Sequence, residues 1–181
     1  MSDKLTRAIT KDGFFKISAV VSTETAETAR KYHNSSPVAT AALGRLLSAG
    51  LLMGGELKED KAKLTLQISG DGPLGMLVVS ANSHGEVKGY ASNPQIDLPL
   101  KENGKLDVGG AVGKGVLSVI KDLCLKEPYV GQVQIQTGEI AEDLAYYFMQ
   151  SEQVPSVVAL GVLVDRDYSV KYSGGFIIQV M

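Results

Sequence analysis

Between Ser36 and Gly55 the chain carries a single charge, Arg45, and its apolar positions fall on every side of a helical wheel. At about 100° per residue, Leu43, Leu47 and Leu51 line one side, while Val38, Ala42, Ala49 and Leu52 lie on the other. Ser36 is a good N-cap and Pro37 suits the first helical position. The Gly54-Gly55 pair offers the left-handed conformation that closes many helices. A helix that is apolar all round is either buried or spans a membrane. A span needs roughly 20 apolar residues. Arg45 near the middle would cost on the order of 3 kcal/mol in a bilayer. Thr40, Ser48 and the glycines also argue for burial, with layers packed on both sides.

The flanking pattern predicts those layers. Lys4–Thr10, a turn at Lys11-Asp12-Gly13 and Phe14–Val21 read as an N-terminal hairpin. Ser22 or Thr23 caps a polar helix to about His33, broken at Asn34-Ser35. Leu64, Leu66 and Ile68 alternate with Thr65, Gln67 and Ser69, as in a half-buried strand. Gly70-Asp71-Gly72-Pro73 turns the chain, its glycines supplying positive φ. Leu74–Ala81, a central strand, and Glu86–Ser92 complete a meander. Gln95–Lys105 reads as a loop with room for a short edge strand, and Leu106–Val112 as a helical turn. Val116–Leu123 and Val130–Thr137 are further strands. Thr137 caps a helix whose buried stripe is Ile140, Leu144, Tyr147, Phe148 and Ser151. Val157–Val164 is an apolar strand, and Val170–Tyr172 with Phe176–Val180 finishes the sheet. The fold class is α+β: a three-layer sandwich with buried helices between two largely antiparallel sheets, in a single domain spanning 1–181.

Composition narrows function more by exclusion. The net charge of −2 carries no nucleic-acid footprint, and 44% hydrophobic residues exclude a disordered chain. The N-terminus lacks the apolar core of a signal peptide, so the expectation is a cytoplasmic protein with no membrane partner. Cys124 is the only cysteine, which rules out an internal disulfide and a cysteine-rich metal site.

Candidate chemistry is sparse. The run Gly109–Gly115 invites a phosphate-loop reading, but Val108 stands where the first glycine belongs, and Gly115 replaces the hydroxyl residue that holds magnesium. A flexible turn is the simpler account. His33 and His84 fall in polar segments without ligand spacing and read as solvent-exposed. Cys124, between Leu123 and Leu125, reads as a small buried hydrophobe. Asp71 follows a strand in a tight turn, where an Asp more often accepts a local hydrogen bond than does catalysis. The residues alone identify no catalytic, cofactor-binding or metal site.

Four stretches carry a resemblance: Gly70-Asp71-Gly72-Pro73-Leu74-Gly75, Tyr90-Ala91-Ser92-Asn93-Pro94, Tyr146–Ser156 and Gly174-Gly175-Phe176-Ile177-Ile178-Gln179. In this order the chain resembles the bacterial heat shock protein 33 family of redox-regulated holdase chaperones. The resemblance implies ATP-independent binding of unfolding proteins under heat and oxidative stress, and the same three-layer domain. It also implies a linker and a zinc module carrying Cys-x-Cys and Cys-x-x-Cys pairs. Those cysteines are not in this chain, which stops at Met181, so zinc maps to no residue here. The expected partners are unfolded client proteins and a second copy, since an apolar face left uncovered by a linker is relieved by dimerisation. The client-binding residues are not identified by sequence. Two other readings stay open: an enzyme with a site near Asp71 and His84, and a structural oligomerisation module.

Overall fold

A computed structural model describes residues 2–181. The N-terminal hairpin joins β1 (Lys4–Ile9) to β2 (Phe15–Val21). Helix α1 (Thr23–His33) follows, then the central helix α2 (Pro37–Gly54). Strands β3 (Lys63–Gly70), β4 (Met76–Asn82) and β5 (Val87–Ala91) form the meander. A short helix α3 (Val108–Val112) leads into β6 (Gly115–Asp122) and β7 (Tyr129–Gln134). Helix α4 (Ala141–Tyr147) runs on into a π-helical turn (Phe148–Glu152). The hairpin β8 (Ser156–Val164) and β9 (Val170–Val180) closes the fold.

These strands make two sheets with every pair antiparallel, ordered β1-β2-β9-β8 and β5-β4-β3-β6-β7. Helix α2 packs against both, touching β2, β8 and β9 on one side and β3, β4 and β5 on the other. Leu43, Leu46, Leu47 and Leu52 are buried, which is why this helix carries no polar stripe. The three-layer α+β sandwich is therefore present. Helix α2 alone is long and apolar enough to cross a membrane among the described residues, and 89% of it is buried inside the protein.

Several local expectations are corrected. Gly55 at the end of α2 is right-handed (φ −61°), and its N–H bonds to Leu51 O. The glycine pair is required by crowding instead: a Cβ on Gly54 would meet the Asn82 carbonyl at 2.9 Å, and one on Gly55 would meet Leu5. Gly70 and Gly72 likewise lack positive φ; a Cβ on either would collide with the backbone of Ala111 and Val112. Ser22 precedes α1, but its hydroxyl bonds Ser48 (2.7 Å) and Ser173 (2.9 Å) in the core. The Asp3 carboxylate accepts the N–H groups of Glu24 and Thr25 in its place. Thr137 does not cap α4. Asp143, buried, accepts from the N–H groups of Gln136, Thr137 and Ile140 at 2.7–2.9 Å and delays the helix to Ala141. Gln95–Lys105 is the loop expected, without an edge strand. Strand β3 lies at the centre of its sheet, with β4 one place away. Strand β9 is unbroken through Gly174-Gly175, where a Cβ would collide with the Val20 and Ala159 carbonyls of its two neighbours.

Candidate functional site: an apolar outer sheet face

The residues picked out by sequence do not assemble. Asp71 and His84 lie in the turns at opposite ends of β4. Asp71 Oδ1 accepts the Lys114 N–H at 2.7 Å and so stitches two loops together. His84 Nε2 is 3.2 Å from Asp60 Oδ1, with both side chains exposed. His33 is half-buried at the end of α1, with Nε2 2.8 Å from the Gly89 carbonyl. The Gly109–Gly115 run is built into α3 and packed on the Gly70–Pro73 turn, so it is neither flexible nor a phosphate loop. Cys124 is exposed, contrary to expectation. Strand β6 ends at Asp122, whose carboxylate accepts the Cys124 N–H, and Cys124 adopts φ 61° in the connecting turn. No three His, Cys, Asp or Glu side chains converge on a metal-binding geometry among the described residues.

The four-stranded sheet supplies the feature that sequence reasoning did not place. Its register separates two faces. Ser18, Val20, Ile177, Leu160 and Val162 point to α2, and Val162 meets Gly44 there. The alternate residues point away from the core. On β9 these are Tyr172, Gly174, Phe176, Ile178 and Val180. On β8 they are Val157, Ala159, Gly161 and Leu163, and on β2 Phe15, Ile17, Ala19 and Val21. Cross-strand pairs knit them into one surface: Ala159 opposite Phe176 opposite Ala19, and Val157 opposite Ile178 opposite Ile17. Val157, Leu163 and Tyr172 are 59%, 53% and 65% exposed. Across these three strands the face holds one charged side chain, Lys171, exposed beside Tyr172 at the bulge in β9; Lys4 and Thr6 enter on β1.

The other sheet shows what an ordinary solvated face looks like. Its outward residues mix polar Thr65, Gln67, Ser69, Ser80, Lys88, Gln132 and Gln134 with apolar Met76, Val78, Tyr90, Val116, Ile120 and Val130. Antiparallel sheets with one wet side normally alternate in this way. A broad exposed apolar patch marks an interaction surface. The signal was available in Val157–Val164, which contains no polar side chain although the sheet is antiparallel.

The base of this sheet is held by ionic contacts. Lys16 pairs with Glu56 at 2.8 Å, and Ser18 donates to the same carboxylate. Burial opposes the charge on Glu56, but those hydrogen bonds outweigh it and keep its pKa below the usual glutamate range. Tyr147 donates to Glu152 at 2.9 Å, and Lys121 pairs with Glu152 from β6. Burial, reinforced by the Glu152 charge, pushes the Tyr147 hydroxyl far above its usual range, so it stays a donor.

The family model described as Hsp33 protein matches residues 3–181. The chain belongs to the Hsp33 family. A 33 kDa chaperonin from Agathobacter rectalis is 61% identical over all of this chain and 63% of its own length. One from Clostridium perfringens is 62% identical, with 57% of its length matched. The crystal structure of a 33 kDa chaperonin (heat shock protein 33 homologue) from Thermotoga maritima superposes with a TM-score of 0.92 at 47% identity. That match covers 96% of this chain and 59% of the Thermotoga chain. The chain thus spans about three-fifths of the Hsp33 relatives it matches. Hsp33 relatives are named as chaperones, not enzymes, in keeping with the separation of Asp71 from His84.

Proposed function

We propose that this chain forms the client-holding part of an Hsp33 holdase, and that the outer face of the four-stranded sheet is where unfolding proteins bind. The observation that carries this reading is the largely apolar outer surface of β2, β9 and β8, with Phe176, Tyr172 and Leu163 exposed on it and Lys171 as its one charge. An unfolding protein exposes apolar segments, and burial is favourable at roughly 25 cal/mol per Å² on each side. Such contact is non-directional, which fits a binder of many sequences, and it needs no nucleotide. A second copy of the chain competes for the same face, so a homodimer forms when clients are scarce. The zinc and thiol switch implied by the resemblance belong, in this reading, to the part of the relatives that this chain does not match. This chain then holds clients without oxidation.

The test is site-specific crosslinking. A photoreactive side chain at position 163 or 176 should label a heat-unfolding client, while one at position 67 on the opposite sheet should label it several-fold less. Equal labelling from both sheets would refute the placement.

A further inference from the structure

We infer that the free edge of β8 captures one extended segment of an unfolding protein as a fifth strand, with an acidic residue leading that segment. This deepens the reading of the four-stranded sheet as the client platform and rests on it.

The edge follows from hydrogen-bond accounting. Val180 N–H donates to the Pro155 carbonyl at 3.1 Å, which fixes the alternation along the β8–β9 pair. In that register Val157, Ala159, Gly161 and Leu163 direct both backbone groups into β9. Val158, Leu160 and Val162 direct theirs away from the sheet, and none of these groups bonds to any described residue. Their side chains face the core yet are only half-buried, as expected at an open edge.

Natural sheets blunt such edges with charge, shortness or cover. The other three are shorter and carry charged or polar side chains or a partner here. Strand β1 carries Lys4 and Arg7. Strand β5 has five residues, and His33 occupies the Gly89 carbonyl. Strand β7 carries Gln132 and Gln134. Strand β8 has nine residues with no charge, Pro or polar side chain after Ser156. Edge addition provides main-chain bonds that are indifferent to sequence, and alternate side chains then lie on the apolar face.

The charge preference comes from a cleft of about 560 Å³ along the second half of β8. Leu100, Leu106 and Tyr168 give it apolar walls. Lys105 and Arg166 line it beside Asp165, while Arg45 and Lys101 in its wall are paired with Glu139. Every pairing in the sheet is antiparallel. An added antiparallel strand sets its N-terminal end beside Val162–Val164, in this cationic cleft. The occupant is therefore an acidic residue followed by apolar residues at alternate positions.

The experiment uses this chain and a fluorescein-labelled peptide of seven residues, one Asp followed by alternating Val and Thr. Anisotropy gives its Kd. N-methylation of the amides that face β8 should weaken binding at least tenfold, while methylation of the alternate amides leaves it unchanged. Placing the Asp last should weaken binding several-fold, and Lys105→Glu should do the same for the original peptide. Hydrogen exchange at Val158, Leu160 and Val162 should slow when peptide is added. Equal effects of the two methylation patterns, or no peptide binding by a chain that still suppresses aggregation, would overturn the edge while leaving the sheet face standing. A chain that does neither would overturn both. Protection of those three amides that rises with protein concentration, without peptide, would assign the edge to a second copy and overturn the inference.

Discussion

Arg45 Nη1 lies 2.7 Å from Glu139 Oε2, and this pair ties the middle of the buried helix α2 to the turn before α4. The same guanidinium group donates to the Glu139 carbonyl at 3.2 Å, and Lys101 approaches the other carboxylate oxygen. The one charge in the helix is thereby answered, although Arg45 Nε is buried with no partner among the described residues. Burial disfavours the Glu139 anion, but hydrogen bonds from Lys101 and Arg45 outweigh that and hold its pKa below the usual glutamate range. Glu139→Ala should cost about 1–3 kcal/mol in urea melts, between the values for exposed and fully buried pairs. A cost under about 0.5 kcal/mol would mean that Arg45 is satisfied by water.

A second carboxylate should govern acid stability. Arg30 donates two hydrogen bonds to Glu27, which also accepts the Val170 N–H at 2.9 Å and so joins α1 to β9. The Arg30 hydrogen bonds hold the Glu27 pKa down at about 2, against an ordinary 4.5. The unfolded chain protonates first on acidification. The contribution is therefore complete above about pH 4.5 and is lost as pH falls toward 2. Glu27→Gln should lower the urea midpoint at pH 7 and flatten its decline between pH 4.5 and 2. A decline as steep as in the parent protein would place the acid sensitivity elsewhere.

Core packing makes the sharpest stability prediction. Leu47, 1% exposed, sits midway along α2 between the two sheets. Leu47→Ala should cost about 2–5 kcal/mol. Gly70→Ala should be at least as damaging, because the new methyl would overlap the Val112 carbonyl. Denaturant melts of both variants check this, and a loss under about 1 kcal/mol in either would contradict the packing described.

Cys124 should behave as an accessible thiol. Its exposure predicts prompt reaction of one equivalent with a thiol reagent in the native protein. Cys124→Ser should leave aggregation suppression unchanged in reductant and in peroxide. A peroxide response that disappears in this variant would make the residue regulatory.

Much of the fold was legible because burial on both sides leaves a plain mark. An eighteen-residue helix with one charge had to lie between layers, and the alternation of β3 marked one wet and one dry face. Capping was less legible. Asp143 reaches back to three N–H groups and displaces Thr137, a contest decided by tertiary geometry. Gly72 reads as a turn glycine because sequence shows conformational freedom but not the approach of a distant carbonyl, which is also what requires Gly174. Cys124 was misplaced because its apolar neighbours imply burial only if the strand continues past Asp122. The apolar outer face escaped for a related reason. A strand such as Val157–Val164 reads the same whether its second face is buried or open, and only the sheet order shows that no described element is layered on it.

The account turns on that face, and one measurement bears on it most directly: light scattering by a heat-unfolding model enzyme in the presence of the chain, under reductant. The comparison is between Leu163→Ser with Phe176→Ser on the outer face, and Thr65→Ser with Gln67→Ser on the opposite sheet. All four sites lie outside the buried core, so stability should change by no more than about 1 kcal/mol. The account predicts that the first pair loses most of the suppression of aggregation and that the second keeps it. Full suppression by the first pair, with its fold intact by circular dichroism, would contradict it.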